Sequence, residues 1–161
     1  LDAWLKESAE AQGFLRRSPA ENGIPEDVLT MTRRPARVAP PLPDQFLEII
    51  RTDGVARAVR IFKETRALNP SYMLFRPGQL IQLSGEYETK GAVSDATELL
   101  EMACIAYPEN YNACSRLATI YAAHGQVDQA VKTYERFVKL NPTGVFSQLA
   151  AEAAEALAGR K

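Results

Sequence analysis

The feature that most constrains this chain is a helical pattern that recurs after 34 residues, and once more upstream across a short insert. It is plainest in YNACSRLATIYAAHGQVDQAVKTYERFVKLNP, residues 111–142. Cys114, Leu117, Ala118 and Tyr121 fall at helical spacing and predict one apolar stripe. Gly125 follows, a residue free to take positive φ and close a last turn. Val127, Ala130, Val131, Tyr134, Phe137 and Val138 repeat the stripe on a second helix. Asn141-Pro142 stops that helix, because Pro142 disfavours helix at the residue before it and lacks an N–H. Two antiparallel helices bury only one face of their pair, so the pattern requires neighbours.

The neighbours are present upstream. Leu80, Leu83, Ser84, Tyr87, Gly91, Ala96, Leu100, Ala103 and Pro108 hold the equivalent places one period earlier. Phe46, Leu47, Ile50, Gly54, Ala58, Phe62 and Pro70 hold them again, with the turn between helices one residue shorter. This series resembles the tetratricopeptide repeat family, whose pattern is an aromatic, Leu-Gly, Tyr, Ala, Phe and a closing Pro. The resemblance covers residues 44–142 and departs from the pattern at Cys114 and Leu80, which replace the Trp, and at Leu47, where a small residue is usual. It implies an all-α fold: a right-handed superhelical stack of three helix-turn-helix repeats, 44–70, 71–108 and 109–142. A capping helix over 143–159 is expected to cover the last open face. The span 44–158 is predicted to be helical throughout, turning at Gly54, Gly91 and Gly125.

The ends have a different texture. Leu1, Trp4, Leu5, Ala11, Phe14 and Leu15 predict an amphipathic helix over 1–17. Residues 18–43 hold six of the ten prolines and read as a linker, extended at APPLP, with one helical turn from Pro25 to Thr30. Asp44 is expected to cap the first repeat helix. Between the first two repeats, SYMLFRPG adds four residues; its Tyr72, Met73, Leu74 and Phe75 are too apolar for a free loop and are expected to pack over the junction. Phe146, Leu149, Ala150, Ala153 and Leu157 mark the final amphipathic helix, which Gly159-Arg160-Lys161 suits at its end.

Net charge over the 161 residues is −1, which provides no overall field toward nucleic acid or an anionic membrane. No apolar run approaches a membrane span, so no membrane insertion is expected. The sequence shows no signal-peptide pattern and opens on Leu1, as a processed chain or an excised domain would, and either a cytoplasmic or a periplasmic setting stays open. Arg33, Arg34 and Arg37 form a small basic patch, but Glu21, Glu26 and Asp27 precede it and no aromatic interleaves, so it reads as solvated linker.

Catalytic chemistry lacks its residues. The single His124 stands beside Gly125 at a helix end, where it suits capping or solvent. No zinc spacing, phosphate-cradling loop or nucleophile elbow occurs, and no cofactor or metal site is expected. Glu98 and Glu101 read as ordinary exposed helix residues. Cys104 and Cys114 fall on adjacent helices; they read as two buried thiols, with a bridge between them open.

A closer resemblance joins FLEIIRTDGVARAVRIFKETRALNP, the insert SYMLFRPGQL and AYPENYNACSRLATIYAAHG. Together they resemble a tetratricopeptide module found C-terminal to bacterial hydrolases, including serine hydrolases. That resemblance implies an accessory domain and carries over no catalytic residue. In the wider family the first helix of each pair lines the concave side, which implies a partner-binding groove of Glu48, Arg51, Ile81, Gly85, Glu88, Asn112, Ser115 and Thr119. The expected function is a non-catalytic scaffold that binds a protein or peptide there. The rivals are an accessory or oligomerisation tail of a hydrolase, and a small secretion chaperone, which the proline-rich linker disfavours. The apolar N-terminal helix is expected to make an intermolecular contact, with a second copy or with a catalytic domain.

Overall fold

The computed structural model describes residues 9–25 and 39–159. The chain divides into two units, 1–38 and 39–161. Among the described residues there are eight α-helices and no strand.

In the first unit, α1 runs Ala9–Arg16. Leu1, Trp4 and Leu5 lie outside the described residues, and Phe14 is 43% exposed. A single 3-10 turn follows, Ala20–Asn22, within the span expected to be linker. Its cause is local. Ser18 Oγ accepts from the Glu21 N–H at 3.3 Å while the Glu21 carboxylate accepts from the Ser18 N–H at 2.6 Å, the reciprocal pairing of a Ser-x-x-Glu box. The expected turn from Pro25 to Thr30, beyond Pro25 itself, and the basic Arg33, Arg34 and Arg37 fall outside the described residues.

The second unit holds seven helices: α2 Pro43–Thr52, α3 Val55–Leu68, α4 Pro77–Thr89, α5 Val93–Ala106, α6 Tyr111–Ala123, α7 Val127–Leu140 and α8 Ser147–Ala158. Within each pair α2 packs on α3, α4 on α5 and α6 on α7. Between pairs, α3 meets α5, α5 meets α6 and α4 meets α6, and α8 closes against α7. The fold is thus an all-α helical repeat.

Helix starts repeat as well. Pro43 and Pro77 each stand in the first turn, where a missing N–H costs nothing. Two residues on, Gln45 Oε1 accepts the Leu42 N–H at 2.9 Å and Gln79 Oε1 the Arg76 N–H at 2.8 Å. Asp44 therefore does not cap α2 as expected. Pro43 already occupies the helix, which moves the cap position back to Leu42. At α6 a side chain does cap: Asn110 Oδ1 accepts from the Ala113 N–H at 3.0 Å.

The two full-length turns are built alike. Gly91 has φ +76 and Gly125 φ +74. Their N–H groups donate to Glu88 and Ala122, and the next residues, Ala92 and Gln126, donate to Tyr87 and Tyr121. That is a paired 5→2 and 6→1 closure, which requires a left-handed residue between the bonds. The one-residue-shorter turn at Gly54 lacks it and leads directly into α3.

Small residues set how closely the pairs approach. Ala58, Ala96 and Ala130 recur at one place in the pattern and are fully buried, as are Ser84 and Ala118 at another. The Ser84 hydroxyl donates to the Ile81 carbonyl at 2.7 Å, so its burial leaves no polar atom unpaired. Leu74 and Phe75 of the insert are each 2% exposed. Phe75 lies 5.7 Å from Phe46, 5.8 Å from Phe62 and 6.0 Å from Tyr107, joining the first pair to the second. Met73 departs from expectation and is exposed at 47%. On α8 the buried positions are Ser147, Ala150 and Ala154. Leu149 is half exposed, and Phe146 stacks on Tyr111 at 5.0 Å ahead of the helix. Arg160 and Lys161 lie outside the described residues.

Candidate functional site

The first helix of each pair has a buried stripe and an opposite face. On α2, Phe46, Leu47 and Ile50 are buried while Glu48 and Arg51 are exposed. On α4, Leu80, Leu83 and Ser84 are buried, Ile81 and Gly85 are half-buried, and Glu88 is exposed. On α6, Ala113, Cys114, Leu117 and Ala118 are buried, Ser115 is half-buried, and Asn112 and Thr119 are exposed. The helical period produces this split, since residues three and four apart share a face.

Neighbouring first helices are tied across this face. Arg116 on α6 donates from a guanidinium NH₂ to the Glu88 carboxylate on α4 at 2.8 Å. Both side chains are about 40% exposed, so solvent screens the pair and its contribution to stability is ~0–1 kcal/mol. Its geometry is the more informative property. A Cβ added at Gly85 would stand 3.3 Å from the Arg116 guanidinium, so the missing side chain leaves room for the arginine to cross α4. Gly85 and Glu88 on α4 thus both border Arg116 of α6. Behind the face, the Tyr87 hydroxyl donates to the Ile50 carbonyl at 3.1 Å and links α4 to α2. Burial, first, raises the Tyr87 phenol, and the Asp95 carboxylate adds to it.

Thr119 also borders a cleft of about 480 Å³ between α6, α7 and α8. Ala118, Ala122, Ala123, Tyr134, Ala153, Ala156 and Leu157 complete its wall, which is largely apolar. Sequence reasoning missed Ala122, Tyr134 and Leu157 as surface lining. Their signal in the sequence is that of core residues, and only the placement of α8 makes a cleft of them.

Residues considered for chemistry are accounted for structurally. His124 ends α6 exposed, its Nδ1 donating to the Ile120 carbonyl at 2.9 Å. Glu101 is more than a solvated helix residue, because its carboxylate accepts from the Tyr121 hydroxyl. Burial, then that carboxylate, pushes the Tyr121 phenol up. Cys104 and Cys114 are free and buried. Among the described residues no three His, Cys, Asp or Glu side chains group as a metal would require. No helix among them is long and apolar enough to cross a membrane.

Comparison with known proteins adds the following. No curated protein matches the chain. Among solved structures, the chain is similar to a mutant of MamA at 20% identity, covering 73% of this chain and 83% of that one with a TM-score of 0.43. The family model described as tetratricopeptide repeat matches residues 89–158, from the end of α4 through α8.

Proposed function

We propose that this chain is a non-catalytic protein–protein interaction scaffold, binding a peptide or a helix in a groove along the first helices of its repeats. Glu48, Arg51, Ile81, Gly85, Glu88, Asn112, Ser115 and Thr119 line that groove. The observation that carries the reading is the two-sidedness of α2, α4 and α6: each commits one stripe to the core and leaves the other face available. The tetratricopeptide match over 89–158 supports it for α5 through α8, and α2 through α4 are assigned to the same family by their residue pattern. Affinity would come from apolar burial at the half-buried Ile81 and in the cleft beside Thr119. The exposed Glu48, Arg51 and Glu88 would set orientation and association rate more than strength. A preformed face keeps the ordering cost on the ligand alone.

The test is to select a peptide ligand from a random library on the full chain and measure its affinity for variants. Thr119→Arg and Asn112→Arg are each expected to weaken it by about tenfold or more, the equivalent of about 1.4 kcal/mol. Lys132→Glu on α7 is expected to leave it within about twofold. Ligands insensitive to both groove substitutions yet lost on Lys132→Glu would overturn the reading.

A further inference from the structure

The cleft of about 480 Å³ between α6, α7 and α8 differs in chemistry from other openings between the helices. Lys63, Arg66, Glu98 and Glu101 stand on one of those, and Lys132 and Arg136 on another. No Asp, Glu, Lys or Arg stands on this wall. Side-chain size keeps it open. Ala118, Ala122 and Ala123 line it from α6, and Ala153 and Ala156 from α8. Each ends at a methyl, so the helices leave unfilled the space that longer side chains would occupy. One polar atom on the wall has no partner. Tyr134 of α7 is only 7% exposed. Elsewhere tyrosine hydroxyls donate across helices, Tyr72 to the Pro41 carbonyl, Tyr87 to Ile50, Tyr107 to Phe75 and Tyr121 to Glu101. The Tyr134 hydroxyl makes no hydrogen bond to a described residue, yet its oxygen is not sealed from solvent. Thr119, the other hydroxyl on the wall, already donates to the Ser115 carbonyl at 2.9 Å. Hydroxyls this deep are ordinarily paired, so an unpaired one on an uncharged wall points to a ligand.

We propose that this cleft is the anchor pocket for one tryptophan side chain of the partner. The indole packs on the alanines, and its N–H donates to the Tyr134 hydroxyl. The proposal rests on the groove reading and names the partner's chemistry where the groove reaches Thr119. The wall selects for it. An indole brings a large flat apolar surface and a single donor. The Tyr134 oxygen receives no hydrogen bond and has lone pairs to accept one. A leucine or phenylalanine would cover that hydroxyl and leave it dry and unpaired, which costs affinity. A charged side chain would lose its water against a wall with no counter-charge. Tyr134 is thus the residue that sets specificity, while the alanines supply the room.

The test titrates the full chain with N-acetyl-tryptophanamide and follows backbone amide NMR shifts. Saturable shifts are expected at Thr119, Ala122, Ala153 and Leu157. The same probe methylated on the indole nitrogen keeps the ring and loses the donor, and should bind about tenfold more weakly. Tyr134→Phe keeps a ring in place and should bring the two probes within about twofold of each other. Ala153→Phe, which fills the cleft, should abolish the shifts for both. No saturable shift at the cleft of the unsubstituted chain would overturn the proposal. So would equal affinity for the two probes, a preference that survives Tyr134→Phe, or tighter binding of N-acetyl-leucinamide or N-acetyl-tyrosinamide. The unsubstituted chain provides the deciding comparison, so a variant that fails to fold leaves the test intact. Library-selected peptides separate this proposal from the reading it rests on. Groove binders that carry no tryptophan and ignore Tyr134→Phe sink the anchor alone. Peptides that ignore Thr119→Arg and Asn112→Arg sink the groove, whatever the probe does at the cleft.

Discussion

Ala130 shows how much one side chain decides in a helical repeat. It is fully buried, as are Ala58 and Ala96 at the same place in the other pairs. Ala130→Leu is predicted to destabilise the chain by ~1–3 kcal/mol through overpacking, more than any groove substitution. Thermal and denaturant melts check this, and an unchanged midpoint would remove Ala130 from a tight contact. The alanine positions were legible because the repeat states the same requirement three times. Residues that act once were not. Nothing in the sequence pairs Arg116 with Glu88 or Tyr121 with Glu101, since those partners are brought together by packing between helices far apart along the chain. Phe75 showed itself only as too apolar for a loop, and its place among Phe46, Phe62 and Tyr107 is set by how the pairs pack.

At the level of elements, turns were read better than starts. Gly91 and Gly125 mark chemistry that few residues satisfy, a left-handed backbone between two closing hydrogen bonds. Gly125→Ala is therefore predicted to cost ~1–2 kcal/mol although open space surrounds the position, because the penalty lies in the backbone. Equilibrium unfolding of that variant beside Gly78→Ala, at a glycine with open space around it and no positive φ, separates the backbone term from general sensitivity to a methyl. Equal stability of Gly125→Ala and the parent would contradict it. Starts were harder because several residues compete for the cap. Asp44 is a good capping residue, yet Pro43 before it can occupy the first turn without losing a bond, and the helix begins there. On α8 the stripe was misread by one residue at Leu149. An alanine-rich helix offers many nearly equivalent faces, and its packing on α7 selects Ser147, Ala150 and Ala154.

At the scale of the whole molecule, the repeat architecture was legible from periodicity, whereas the groove and the role of the N-terminal helix remain proposals. We propose that the helix read over 1–17 makes a contact outside its own chain. Its sequence carries the large apolar side chains Trp4, Leu5, Phe14 and Leu15, and Phe14 is 43% exposed on α1. Burying such side chains stabilises by ~1.5–3 kcal/mol each, so a partner surface has much to gain. Light scattering on the full chain beside a chain starting at Pro43 is predicted to show association lost with the helix, or else Trp4 emission typical of an exposed ring awaiting another domain. A monomer with a buried Trp4 at every dilution would contradict the proposal.

The claim on which the account turns is that partners bind the first-helix face. Backbone amide NMR of the full chain, titrated with a library-selected ligand, tests it most directly. The account predicts shifts concentrated at Glu48, Arg51, Ile81, Gly85, Glu88, Asn112, Ser115 and Thr119, continuing into the cleft at Ala122 and Leu157. Shifts confined to the second helices, around Lys63 on α3 and Glu98 on α5, with the first-helix face unmoved, would contradict it.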